Sequence, residues 1–331
     1  MQFTTLSCPQ CGGPLPRQAH WRMVTCPFCS AEVTRSQDVV QAATFHDAWL
    51  RARSAIRPAE RCIASGVLSY RVLARLGAGE LADVFLAERM DCLPERVVIK
   101  LARPDAPASA LSREDEVLRT LQALQIPGAA YYSRRLPQPV ALGSARLDHG
   151  PERPALVLRH PPGLWGSLAD ALSFHPAGLD PRHAVWIWRR VLDLLAFIHA
   201  AGWTHGDLRA MHWQVQPRDH GILLTGWRHA RARATHREIA RDLMQSAWTL
   251  RQLLCGTGHD GDAPPGLGPA TPQPLSRLLR QASEEPDWCS RQGAAGLDQA
   301  LQDAALQSFG APRFVPFNPT GSIPTPQPNP D

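Results

Sequence analysis

Leu76-Gly77-Ala78-Gly79-Glu80-Leu81-Ala82-Asp83-Val84-Phe85, followed by Val97-Val98-Ile99-Lys100, is the stretch on which the reading of this chain turns. The pattern predicts strands over Tyr70 to Leu76, Asp83 to Glu88 and Arg96 to Leu101, with a glycine-bearing turn between the first two. Lys100 is the only lysine among the 35 basic residues; every other one is arginine. An ammonium is a compact point charge, whereas a guanidinium is a broad planar fork. A chain that uses arginine everywhere else and keeps one lysine here points to a tight pocket for phosphate oxygens and one carboxylate.

Working outward, Leu111 to Leu124 carries apolar residues at helical spacing (Leu111, Val117, Leu118, Leu121, Leu124). A further strand, Ala155 to Leu158, runs into Pro161-Pro162-Gly163, a natural hinge. The remainder reads mostly helical, beginning with Arg182 to Ala200. The last twenty residues contain seven prolines and are expected to form a disordered or extended tail, with Phe314, Val315 and Phe317 able to dock it in part.

Upstream, Cys8-Pro9-Gln10-Cys11 and Cys26-Pro27-Phe28-Cys29 each resemble a zinc knuckle, with Gly12 and Gly13 supplying backbone freedom. Together they resemble a zinc ribbon, and four thiolates complete a closed, structural, tetrahedral site. A redox pair or two disulfides are the alternatives. Cys62, Cys92, Cys255 and Cys289 lack this spacing and read as ordinary small residues. Val39, Val40, Ala43, Trp49 and Ile56 predict a short amphipathic helix over residues 38–56.

Composition sets the bounds. With 44% hydrophobic and 20% charged residues the chain can bury a substantial core, and its net charge of +5 is mild. No apolar run reaches membrane-spanning length; Ala184 to Ile198 is interrupted by Arg189, Arg190 and Asp193. The first residues carry neither a basic start nor an apolar core of a signal peptide, so a cytoplasmic location with reduced thiols is expected.

Residues 70 to about 310 resemble the eukaryotic-like protein kinase family, on motifs that occur in the family's order. Gly77-x-Gly79-x-x-Ala82-x-Val84 resembles its glycine-rich phosphate loop, with Ala82 for the third glycine, and Val97 to Lys100 its lysine strand; the resemblance implies a helix carboxylate paired with Lys100, for which Glu114 is the candidate and Glu116 the alternative. His205-Gly206-Asp207-Leu208-Arg209-Ala210-Met211-His212 resembles its catalytic loop, where the resemblance implies that Asp207 accepts the substrate hydroxyl proton. A brace of neighbouring backbone amides is the other reading of that aspartate. The resemblance puts His212 at the position of a metal-binding asparagine and Gly226, in Gly226-Trp227-Arg228, at that of a metal-binding aspartate, so both magnesium ligands are missing. Asp242 resembles the buried aspartate that braces the loop, and it follows Gly226 too closely for an ordinary activation segment. Between them lie Arg228, Arg231, Arg233, Arg237 and Arg241, a solvated face or an anchor for an acidic partner.

The expected fold is therefore α+β: a two-lobed kinase-like fold with a β-rich N-lobe and a helical C-lobe, preceded by a small zinc ribbon. The divisions fall at residues 1–36 (ribbon), 37–66 (helical linker), 67–160 (N-lobe), 161–311 (C-lobe) and 312–331 (tail). The expected site consists of Gly77, Gly79, Val84, Lys100 and Glu114 for nucleotide, Asp207 for catalysis and Cys8, Cys11, Cys26 and Cys29 for structural zinc. The leading expectation is a pseudokinase, a regulatory or scaffold protein for another protein, able to hold ATP without magnesium. An active atypical serine/threonine-type or small-molecule phosphotransferase using Asp207 is the alternative. Nucleic-acid binding by the ribbon has only Arg17, His20, Trp21, Arg22 and Arg35 to rest on, a thin basic surface.

Overall fold

The computed structural model describes residues 8, 11, 13–15, 23–30, 32–34, 61–90, 95–107, 109–256 and 266–321. The helix expected over 38–56, Cys92, Arg17, His20, Trp21, Arg22, Arg35 and the tail from 322 lie outside them.

A small hairpin of β1 (Met23–Thr25) and β2 (Glu32–Thr34) precedes six strands: β3 (Cys62–Ser65), β4 (Leu68–Ala78), β5 (Ala82–Arg89), β6 (Arg96–Ala102), β7 (Pro139–Leu147) and β8 (Arg153–Arg159). These six form an antiparallel closed barrel in the order β3-β4-β5-β6-β8-β7, and pairing of Ile63 with Leu147 closes it. The period-two alternation of β6 explains its two faces. Val97, Ile99 and Leu101 enter the barrel core with Tyr70, Phe85 and Val157. Val98 and Lys100 face the other way, and Val98 packs on the larger core of the helical part. The barrel differs from expectation at its start: β3 lies ahead of residue 67, within the expected linker, because Ile63 is fully buried in the barrel.

Helix α1 (Ser112–Gln122) lies between β6 and the short α2 (Ala129–Tyr132). It buries Val117, Leu118 and Leu121 but also Glu114 and Asp115. Beyond β8 come β9 (Gly166–Ser167), α3 (Leu168–Leu172), α4 (Pro181–Ala200), β10 (Trp203–Thr204), β11 (Trp213–Gln216), β12 (Gly221–Leu224) and β13 (Arg231–Ala232). Three long helices finish the chain: α5 (His236–Cys255), α6 (Gln273–Glu284) and α7 (Pro286–Phe309). Local chemistry starts these helices where they start. Pro181 opens α4 behind Asp180, whose carboxylate accepts from the Arg182 N–H at 2.8 Å. Thr235 and Glu238 form a capping box at α5. The core they share is apolar and includes the fully buried Trp188, Trp213 and Trp227. Among the described residues no helix is long and apolar enough to cross a membrane.

The cysteine hairpin rests on this helical core. Phe28 meets Trp186 of α4 edge-on at 5.1 Å, and Arg190 donates to the Pro27 carbonyl at 2.9 Å. The segment after α7 covers the same place. Phe314 packs on Phe28 at 5.1 Å and its N–H donates to the Cys11 carbonyl at 2.6 Å. Phe317 is buried beside His183 and His220. This stretch is extended, as its composition suggests, but docked.

Candidate active-site cleft and cysteine centre

A cleft of about 460 Å³ runs between the barrel and the helical part. The glycine-bearing turn of β4 and β5 lines it, as do Gly77, Gly79, Val84, Lys100, Glu114, Asp207, His212 and Gly226. Residues far apart in sequence thus converge, and all six expected nucleotide and catalytic residues are among them.

The turn is closed by the Gly79 N–H, which donates to the Ala82 carbonyl at 2.8 Å. Ala82, at the third glycine position, is buried and turns its methyl into the core. Lys100 donates to both oxygens of Glu114, at 2.7 and 2.6 Å. Glu116, the alternative, pairs instead with Arg113 at the surface. Burial alone would raise the pKa of Glu114, but the charge and hydrogen bonds of Lys100, with the Trp227 N–H at 3.3 Å, hold it below its usual value. Trp227 is itself fixed: it is fully buried and its indole donates to the Leu224 carbonyl at 2.8 Å.

Asp242 of α5 organises the loop opposite. Its carboxylate accepts from the N–H groups of His205 (2.7 Å) and Gly206 (2.9 Å) and from His199 Nε2 (3.1 Å). Gln245 and Thr249 hold Leu208 from the same helix, at 2.8 and 2.7 Å. Gly206 has φ +82°, and a Cβ there would lie 2.7 Å from the His229 carbonyl, so neither an arginine nor any other side chain fits. His205 uses both ring nitrogens. Nε2 donates to the Thr225 carbonyl at 3.0 Å, and Nδ1 accepts from the Asp207 N–H at 3.2 Å. Burial pushes its pKa down to about 4.

Asp207 is held by its own loop. Arg209 forks onto both carboxylate oxygens at 2.6 Å, and His212 Nδ1 lies 3.4 Å from one of them. Burial acts to raise its pKa, yet the hydrogen bonds from His212 and Arg209 outweigh burial and hold it well below the carboxylate range. His212 also fills space. Gly226 has φ +83°, and a Cβ there would lie 2.7 Å from three atoms of the His212 ring. The two departures from the kinase pattern are therefore one arrangement: the imidazole occupies the room that a side chain at 226 would need.

Sequence reasoning missed two features of this cleft. Arg228 donates to Glu80 at 2.6 Å across its mouth, and His229 accepts from Arg228 at 2.8 Å. Glu80 was legible only as a residue of the turn, since its partner lies 148 positions away. Of the basic stretch, Arg231 pairs with Glu238, while Arg233, Arg237 and Arg241 are exposed.

Away from the cleft, the thiols of Cys8, Cys11, Cys26 and Cys29 lie within 4.8 Å of one another, with Cys8–Cys29 and Cys11–Cys26 each at 3.6 Å. Tetrahedral zinc with Zn–S bonds of about 2.3 Å requires sulfur separations of about 3.8 Å. The donor set fits such an ion, with no place left for a substrate. Burial raises the pKa of Cys11 and Cys26 and so favours their neutral thiols; a divalent cation would supply the charge that thiolates need here. Gly13 is required for a reason other than conformational freedom: a Cβ would lie 2.5 Å from the Phe28 ring.

A buried lysine–glutamate pair under a glycine-bearing turn, facing a braced aspartate loop, defines a kinase-like domain. The model of the lipopolysaccharide kinase (Kdo/WaaP) family matches residues 96–250, from the strand of Lys100 through Glu114, Asp207 and Gly226 to the helix of Asp242. The matched span leaves out the cysteine hairpin and the glycine-bearing turn. No curated protein matches the chain.

Proposed function

We propose that this protein is a pseudokinase: a kinase-like regulatory or scaffold protein whose cleft holds ATP weakly, without magnesium, and whose zinc ribbon is a structural docking module. The observation that carries this reading is the pairing of His212 with Gly226, which leaves imidazole and hydrogen where the kinase pattern has two oxygen ligands. Imidazole suits hard magnesium poorly, and phosphoryl transfer relies on cations that bridge the phosphates. Asp207 adds to the case, because a carboxylate neutralised by Arg209 and held at low pKa is a weak base. In this reading the two-lobed division, the nucleotide roles of Gly77, Gly79, Val84, Lys100 and Glu114, and the four-cysteine zinc site are those set out above, with the barrel lobe beginning at β3. The partner is another protein, and the setting is cytoplasmic.

A second reading has a specific observation behind it. The match to a family of lipopolysaccharide kinases spans Lys100 and Asp207 and is equally compatible with an active phosphotransferase. Incubation with γ-labelled ATP and magnesium or manganese separates the two. The pseudokinase reading expects no incorporated or released label above buffer. Transfer that disappears in Asp207→Asn overturns it in favour of the enzyme.

A further inference from the structure

Three cation–carboxylate pairs have both partners in the cleft lining, and they differ in what frees the cation. Glu114 and Asp207, which hold Lys100 and Arg209, have side chains only 5% and 8% exposed. Releasing Lys100 would strand a buried carboxylate, and releasing Arg209 would leave the buried Asp207 with His212 alone. Glu80, which holds Arg228, is 77% exposed and sits on the tip of the glycine-bearing turn. It can swing into water at little cost, because exposed pairs are weak. Of the cations in these three pairs, Arg228 is therefore the one the cleft can release to a ligand. It is also aimed there, since the buried Trp227 beside it and the His212–Gly226 contact fix the backbone from which it extends.

We infer that Arg228 is a second phosphate-binding cation of this cleft beside Lys100, kept in reserve by Glu80, and that the ligand is a nucleoside di- or triphosphate bound without divalent metal. The inference rests on the nucleotide reading above and adds what replaces the metal. A guanidinium fork matches two phosphate oxygens, and the phosphate chain takes the position beside Arg228 that Glu80 holds. Glu80 is then an internal competitor. Magnesium, by neutralising the phosphates, weakens rather than supports binding.

The test is calorimetric titration of zinc-loaded protein with ADP, ATP and adenosine in magnesium-free buffer, repeated with magnesium. Glu80→Gln is expected to tighten ADP and ATP by about threefold, the scale of an exposed pair. Arg228→Gln is expected to weaken them by roughly tenfold or more, the scale of a charged hydrogen bond. Adenosine should not respond to either change, and Glu80→Gln should have no effect once Arg228 is Gln. Because both side chains reach the cleft mouth, melting curves without nucleotide show whether each variant is folded. Glu80→Gln, on an exposed turn, carries the test alone if Arg228→Gln is not. ADP and ATP that bind with wild-type affinity to Arg228→Gln, or fail to tighten with Glu80→Gln, overturn the role of Arg228 while leaving the nucleotide reading intact. No nucleotide binding to wild type or Glu80→Gln overturns both.

Discussion

Lys100 shows how much one residue choice can carry. Among the described residues its ammonium is the only cation bound to Glu114, and both side chains are largely buried. Removing one partner of such a pair leaves an uncompensated charge and costs about 3–5 kcal/mol. Lys100→Met should lower unfolding stability in urea by that order, and adding Glu114→Gln should recover a large part of it. Equal losses in the single and double variants would show that packing, not charge, sets the cost. His205 gives a pH dependence with a definite sign. Its folded pKa of about 4 lies below the ordinary 6.5, so between those values the unfolded chain binds more protons. Stability therefore falls as pH drops through this window, and a proton on Nδ1 also displaces the Asp207 N–H. Urea midpoints measured from pH 7 to 4.5 should fall, and fall less steeply in His205→Gln. Parallel slopes would exclude His205 as the cause.

At the scale of elements, the turn that carries Asp207 and the end of β12 fit each other through His212 and Gly226. Gly226→Asp alone should lower the melting temperature by several degrees, since its Cβ meets the imidazole at 2.7 Å in a left-handed backbone. His212→Asn combined with Gly226→Asp should recover part of that loss and create a magnesium-dependent shift with ATP. A double variant no more stable than Gly226→Asp would show that backbone strain, not the ring, is the obstacle. Much at this scale was legible in sequence. The alternation of Val97, Ile99 and Leu101 marks a strand with one buried face, and the spacing of Val117, Leu118 and Leu121 marks α1. The barrel's closure was not, because the pairing of β3 with β7 joins residues more than eighty positions apart and only Ile63 signals it. Nor was the role of Gly13, since a glycine beside cysteines reads as a turn residue whether or not an aromatic ring lies over it.

For the whole molecule, the cysteine centre, α4 and the segment after α7 are one structure. Cys11 is tied to Phe314 through the backbone, and Phe28 joins Phe314 to Trp186. Stripping zinc should therefore do more than unfold a hairpin. Chelation should lower the melting temperature and expose residues 311–321 to hydrogen exchange and proteolysis, and re-adding zinc should reverse both. Exchange in that segment unchanged by chelation would separate the cysteine centre from the tail. Sequence pointed to the clustering of the four cysteines by their spacing, and to docking of Phe314 and Phe317 by their character. The surface that receives them was hidden, because Trp186 and Arg190 read as ordinary residues of an amphipathic helix.

The central claim is that the cleft holds nucleotide while lacking the means to use magnesium. It is tested most directly by the thermal shift of zinc-loaded protein with ATP, with and without magnesium, in wild type and Lys100→Ala. A ligand that binds only the folded state raises its melting temperature, by an amount that grows with the logarithm of its concentration over Kd. The account predicts a shift in magnesium-free buffer that magnesium does not increase and that Lys100→Ala abolishes. A shift that appears only with magnesium and is lost in Lys100→Ala would contradict it and restore a metal-dependent kinase.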